Sequence, residues 1–133
     1  MEKQEIKKYL KSLFDYMAEH GYTTKPYPKI VLDYTKQDGV LVPTGYFDPT
    51  INGIRLFMHG GTSDRALKDV LRTAAHEFRH WKQQIDGTIA KSGYSSDKIT
   101  EDKKLIKLEA DAYLYGNIGF RKWTEWYQKN NKE

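Results

Sequence analysis

The sequence predicts an α+β domain: one helix, a small sheet of three or four strands, then two helices. Three observations predict it. Apolar residues recur at helical spacing near the start, in the middle and towards the end of the chain. Short β-branched and aromatic runs, punctuated by Pro and Gly, fill the interval between the first two helical stretches. The length of 133 residues suits one domain, 1–133, with a single modest core and neither internal repeat nor linker.

The elements follow in order. Ile6, Tyr9, Leu10, Leu13, Phe14 and Met17 line one face of a first helix, and Gly21 stands where its C-terminal stop belongs. After Pro26 and Pro28, the run Ile30, Val31, Leu32, Asp33, Tyr34 reads as a strand. Asp38 and Gly39 mark a turn, and residues 40–42 read as a second strand ended by Pro43. Residues 45–47 and 54–58 flank a loop with Pro49 and the pair Asn52-Gly53, which predicts a hairpin. Ser63 or Asp64 is placed to cap a long helix over 64–85, stopped by Asp86 and Gly87. Residues 88–100 read as a loop. A last helix begins near Glu101, with Gly116 and Gly119 as points of interruption. It is nearly apolar all round over 105–120, which predicts that it crosses the core.

Composition narrows the function classes. Lys and Arg number 22 against 18 Asp and Glu, a formal charge of +4 that is mild and spread along the chain, so no nucleic-acid partner is demanded. With 30% charged, 38% hydrophobic and 14% aromatic residues, the chain is too aromatic for disorder and too polar for a membrane protein. No apolar run approaches the roughly 20 residues of a membrane span. The N-terminal residues mix Glu with Lys, unlike a secretory signal. The absence of cysteine excludes disulfides, thiolate chemistry and Cys-based zinc sites, and fits a reducing, cytoplasmic setting.

One motif carries chemistry. His76-Glu77-Phe78-Arg79-His80 is an H-E-x-x-H run inside the long helix. Residues i and i+4 lie one turn apart on one face, so two imidazoles can reach one Zn²⁺, and the intervening Glu can take a proton from water beside it. Leu67, Val70, Leu71, Ala74, Ala75, Phe78, Trp81 and Ile85 form an apolar stripe; His76 and His80 fall opposite it, with Asp69, Thr73 and Gln83. That position disfavours the bland role of core histidines and leaves either a solvated face or a metal site.

A catalytic zinc site takes three protein ligands, and without cysteine the third must be His, Asp or Glu. His20 and His59 are the other histidines, and Asp86 lacks the glycine turn that would aim it back at His80. Glu109 stands out, because its one-turn neighbours Leu105, Ile106, Ala112 and Tyr113 are apolar or aromatic. A carboxylate there is costly unless a metal, or a salt bridge from elsewhere, meets it. Asp111 has Lys107 one turn away as an ordinary partner.

His76, His80 and a Glu-Ala-Asp-Ala-Tyr run whose Glu109 lies 29 residues beyond His80 resemble the gluzincin metallopeptidases. The likeness is to their smallest members, the minigluzincins and phage-type domains, and the Glu-Ala-x-x-aromatic run is similar to that of the ImmA/IrrE metallopeptidases. The resemblance implies a minimal zincin-like fold: leading helix, small sheet, H-E-x-x-H helix, glutamate helix. It implies one Zn²⁺ held by His76, His80 and Glu109, a zinc-bound water activated by Glu77, and Asp111 supporting a ligand histidine from behind. It implies an edge strand, Ile54, Arg55, Leu56, Phe57 and Met58, that pairs with an extended peptide or protein substrate. The Asn-Glu…Ser-Asp form of larger gluzincins is absent, and Tyr46, His59, Tyr113 and Tyr115 stand level as assisting electrophiles. A second expectation keeps the zinc and drops the catalysis: a protein-binding regulator of phage or mobile-element origin. The C-terminal aromatics Phe120, Trp123, Trp126 and Tyr127 read as a packing face in preference to a stacking surface for nucleic acid.

Overall fold

The structure is a computed structural model and describes residues 2–36, 44–60, 64–87 and 103–131. Helices α1 (Lys3–Glu19), α2 (Leu67–Ile85) and α3 (Lys103–Asn130) accompany strands β1 (Lys29–Asp33), β2 (Gly45–Asp48) and β3 (Gly53–Phe57). This is the α+β class the sequence predicts. The strand expected at 40–42 and the loop expected at 88–100 lie outside the described residues. Among the described residues, no helix is long and apolar enough to cross a membrane.

The α1 face predicted from periodicity is the buried one: Ile6, Leu10, Leu13, Phe14 and Met17. Fully burying side chains of this size stabilises by about 1.5–3 kcal/mol each. Phe14 meets Phe78 of α2 edge-on at 5.1 Å between ring centroids. Tyr9 packs on Trp123 and Tyr127 of α3. α1 ends at Glu19, and Gly21 then takes a positive φ of 81° that few other residues adopt cheaply. Just beyond, the Thr23 hydroxyl donates to the Phe78 carbonyl, pinning the chain to α2.

The sheet has the order β1-β3-β2. β2 and β3 form the predicted antiparallel hairpin, with Gly45 opposite Leu56 and Asp48 opposite Gly53. Its turn is built by Asp48, whose Oδ1 accepts from the Thr50 backbone N–H (2.9 Å) and hydroxyl (2.6 Å). β1 runs parallel to β3 on the other side. The expectation that 54–58 is an edge strand is therefore corrected: β3 is central, with both backbone edges taken by β1 and β2. Ile54 and Leu56 point into the core, while Arg55 points to the other face and bridges Asp33 of β1 and Asp48 of β2, each at 3.1 Å.

α2 starts at Leu67 rather than Asp64, and Ala66 caps it without a side-chain hydrogen bond. Asp64 is drawn into an isolated antiparallel bridge with His59, which keeps it extended. Val70, Leu71, Ala74, Ala75, Phe78 and Trp81 of the predicted stripe are buried. Leu67 is half-buried and Ile85, in the last turn, is exposed.

α3 runs unbroken through Gly116 and Gly119, so the interruption expected there does not occur. These glycines are contact points. A Cβ on Gly116 would sit 2.9 Å from the His76 Cα, and one on Gly119 would sit 3.1 Å from the Met17 Cε. The prediction that α3 crosses the core is corrected as well. Ala112, Phe120 and Trp123 are buried, but Tyr113 and Leu114 are 58% and 53% exposed, so one apolar face looks outward. Trp123 meets Tyr9 of α1 edge-on and donates from its indole nitrogen to the Ser12 hydroxyl (3.0 Å), which makes the aromatic cluster a packing face.

Candidate metal centre

Two helices build the centre. α2 carries His76 and His80 one turn apart, their rings nearly perpendicular with centroids 4.7 Å apart. α3 lies against this turn because Gly116 lets the two backbones touch, and Glu109 sits two turns upstream on the same face of α3. Its Oε1 lies 2.6 Å from His76 Nε2 and its Oε2 lies 3.2 Å from His80 Nε2. The two Nε2 atoms are 3.2 Å apart. All three residues offer a ligand atom within 4.8 Å of one another, a group that could hold a metal ion.

The donor set fits a divalent cation. Two imidazole nitrogens and a carboxylate converge on one point, an arrangement that is costly unless a proton or a metal lies between them. The 3.2 Å nitrogen separation is close to the edge of a tetrahedron with metal–nitrogen bonds of about 2.0–2.1 Å, which is roughly 3.3 Å. His76 Nδ1 is buried without a hydrogen-bond partner among the described residues.

Burial and neighbouring charges move Glu77 and His80 from their ordinary values. Glu77 is buried, and desolvation pushes its carboxyl above the ordinary glutamate value; His80 and His76 pull it back, and Glu109 adds to the rise. Burial works against a charged His80, but the Glu109 hydrogen bond and the Glu77 and Glu109 charges outweigh it, so its pKa stands above the usual histidine value.

Asp111 takes a different partner from the one expected. Arg79 donates to both its oxygens, Nε to Oδ2 at 2.8 Å and Nη2 to Oδ1 at 3.1 Å. These bonds, against some desolvation and aided by Gln83, hold the carboxyl below the usual range. Arg79 also donates to the Tyr22 carbonyl (3.0 Å) and lies over the Tyr115 ring, its guanidinium carbon 4.4 Å from the centroid. Asp111 does not touch a candidate ligand histidine directly. Gln83 stands between: it donates to Asp111 Oδ2 (2.7 Å) and meets His80 Nδ1 (2.8 Å).

Gln83 and Arg79 are the residues that sequence reasoning missed. Gln83 had a signal, since it shares the face of His76 and His80 at three residues from the second. Arg79 occupies a variable position of the motif, and only the fold brings Asp111 to it. Of the four candidate electrophiles, Tyr113 adjoins the centre, its ring centroid 4.3 Å from that of His76. Tyr115 is engaged by Arg79, the Tyr46 hydroxyl faces Asp48 and His59 bridges Asp64. Asp86 ends α2 and pairs with Lys82. From Tyr113 an open apolar depression of about 500 Å³ continues along α3, lined by Ala110, Tyr113, Leu114, Asn117, Ile118 and Arg121.

Comparison with protein-family models, with curated proteins and with solved structures finds no match for the chain.

Proposed function

We propose that the chain is a zinc-dependent metallopeptidase of gluzincin type, with His76, His80 and Glu109 holding the ion and Glu77 acting as general base. The observation that carries this reading is the convergence of three donors from two helices beside a buried carboxyl that belongs to the same motif. When bound, zinc would polarise the scissile carbonyl and make a water acidic enough to attack near neutral pH. Glu77 takes the proton of the attacking water and passes it to the amine nitrogen as the C–N bond breaks. Its raised pKa suits a base that must also return the proton as an acid. A structural ion would need no such group.

Since β3 is closed on both sides, the edges open to an extended peptide among the described strands are those of β1 and β2, and β2 is the one that packs against α2. Gly45, at its start, lies against Thr73, one turn before His76, so a Cβ there would sit 2.9 Å from the Thr73 methyl. A peptide along β2 would reach the donors, and the apolar face of α3 beyond Tyr113 would receive an apolar side chain.

The test is hydrolysis of a fluorescently quenched, unstructured protein by zinc-loaded chain. Glu77→Gln should keep the metal and lose at least about 100-fold in rate, the usual contribution of a general base. Cleavage at the original rate by Glu77→Gln would remove Glu77 from the mechanism. A zinc-loaded chain that cleaves nothing would favour the non-catalytic regulator.

A further inference from the structure

Resting on the metal-centre reading above, we infer that Gln83 is a positioning residue that fixes the tautomer of His80, with its amide orientation imposed by Leu108 and Asp111 of α3. Gln83 is buried, 5% exposed, and its amide is bonded on both sides. Nε2 donates to the Leu108 carbonyl (2.9 Å) and to Asp111 Oδ2 (2.7 Å). Oε1 lies 2.8 Å from His80 Nδ1.

An amide can be turned by half a revolution, and its neighbours decide which way it stands. Here the neighbours on α3 accept only. The Leu108 carbonyl has no proton to give, and the two-point pairing with Arg79 keeps Asp111 an acceptor. Reversing the amide would set Oε1 against both of them and lose two hydrogen bonds in a buried site. The NH₂ group therefore faces α3 and Oε1 faces His80. An amide oxygen can only accept, so Nδ1 of His80 carries a proton. That leaves Nε2, which faces Glu109 Oε2 and His76 Nε2, each at 3.2 Å, as the nitrogen open to an ion.

His76 provides the contrast. Its Nδ1 is buried with no hydrogen-bond partner among the described residues, so its ring lacks a support from behind like the one Gln83 gives His80. The device also ties ligand to ligand, because Leu108 and Asp111 bracket Glu109 on α3. The bonds that orient His80 hold the turn that presents Glu109.

The experiment uses the full chain labelled with ¹⁵N-histidine and freed of metal, with nitrogen shifts followed upward in pH until those of His80 no longer change. Chelator competition measures zinc affinity alongside. Wild type should show His80 with its proton on Nδ1. Gln83→Met, which offers no acceptor oxygen, should show a shift towards the proton on Nε2 and bind zinc about 10–100-fold more weakly, the usual cost of losing such a support. Gln83→Glu keeps an acceptor for Nδ1 and should retain the tautomer, with an affinity between the other two. A wild-type His80 protonated on Nε2 would overturn the inference, as would Gln83→Met with unchanged tautomer and unchanged affinity. Should Gln83→Met fail to fold, the wild-type and Gln83→Glu spectra still decide. A wild type that binds no zinc would refute the metal-centre reading alone, because the tautomer is measured without metal.

Discussion

Gly116→Ala addresses the contact that brings the two halves of the centre together. The new Cβ would lie 2.9 Å from the His76 Cα and 3.1 Å from both the Ala75 carbonyl oxygen and the His76 nitrogen. All three are backbone atoms in the middle of α2, so no rotamer change relieves the clash. To recover a carbon–carbon separation of about 3.5 Å, α3 must retreat by roughly 0.6 Å. Overpacking of this kind costs about 1–3 kcal/mol, and Ala regains about 1 kcal/mol of helix propensity, for a net loss of about 0–2 kcal/mol. The internal control is Gly119→Ala, where the nearest atoms to the new Cβ belong to the flexible Met17 side chain. There the propensity gain should leave stability between unchanged and about 1 kcal/mol higher. Urea unfolding of both variants would give the comparison. Zinc titration adds a second readout, because a shift of about 0.6 Å carried to Glu109 exceeds the roughly 0.2 Å tolerance of a metal–ligand distance. A Gly116→Ala chain as stable as Gly119→Ala, with undiminished zinc affinity, would refute the claim that this contact sets the centre.

Two further outcomes are expected from the same protein. Trp123→Ala should cost about 3–5 kcal/mol by urea unfolding, as for a buried aromatic, whereas Trp126→Ala, at a 42% exposed position, should cost under about 1 kcal/mol. On the sheet, Thr50 and Arg55 hold Asp48 below the usual aspartate pKa, and Thr35 and Arg55 do the same for Asp33. A folded pKa below the unfolded one contributes stability that is present above about pH 4 and lost as pH falls through the folded value. The urea midpoint should therefore fall on the acid side of pH 4, and Asp48→Asn should flatten that fall while lowering the plateau above it.

Much of the architecture is legible because it follows from local periodicity and turn chemistry. The α1 face, the α2 stripe and the hairpin around Asn52-Gly53 need only neighbours along the chain. The convergence of His76, His80 and Glu109 is legible for a related reason. The absence of cysteine and the apolar surroundings of Glu109 single out that carboxylate, and two helices with one contact face each can bring it to the histidines. What was not legible depends on partners distant in sequence. The resemblance implies an edge strand at 54–58, and β3 is central only because β1 pairs with it in parallel across an intervening stretch. Gly116 and Gly119 read as breaks because the close approach of the α2 backbone to one and of the Met17 side chain to the other leaves no local trace. The outward Tyr113 and Leu114 read as buried, since hydropathy does not say which side of a helix a small domain can cover. Gln83 has its partners in a main-chain carbonyl and a carboxylate of α3, and its purpose emerges only once α3 is docked.

The proposed metal centre of His76, His80 and Glu109 is tested most directly by the zinc content of the purified chain and of Glu109→Ala, measured by elemental analysis after dialysis. The proposed function predicts one zinc per chain in the wild type and none retained in Glu109→Ala, with the variant still folded by circular dichroism. A wild type that holds no zinc, or a Glu109→Ala chain that holds it equally well, would contradict the account.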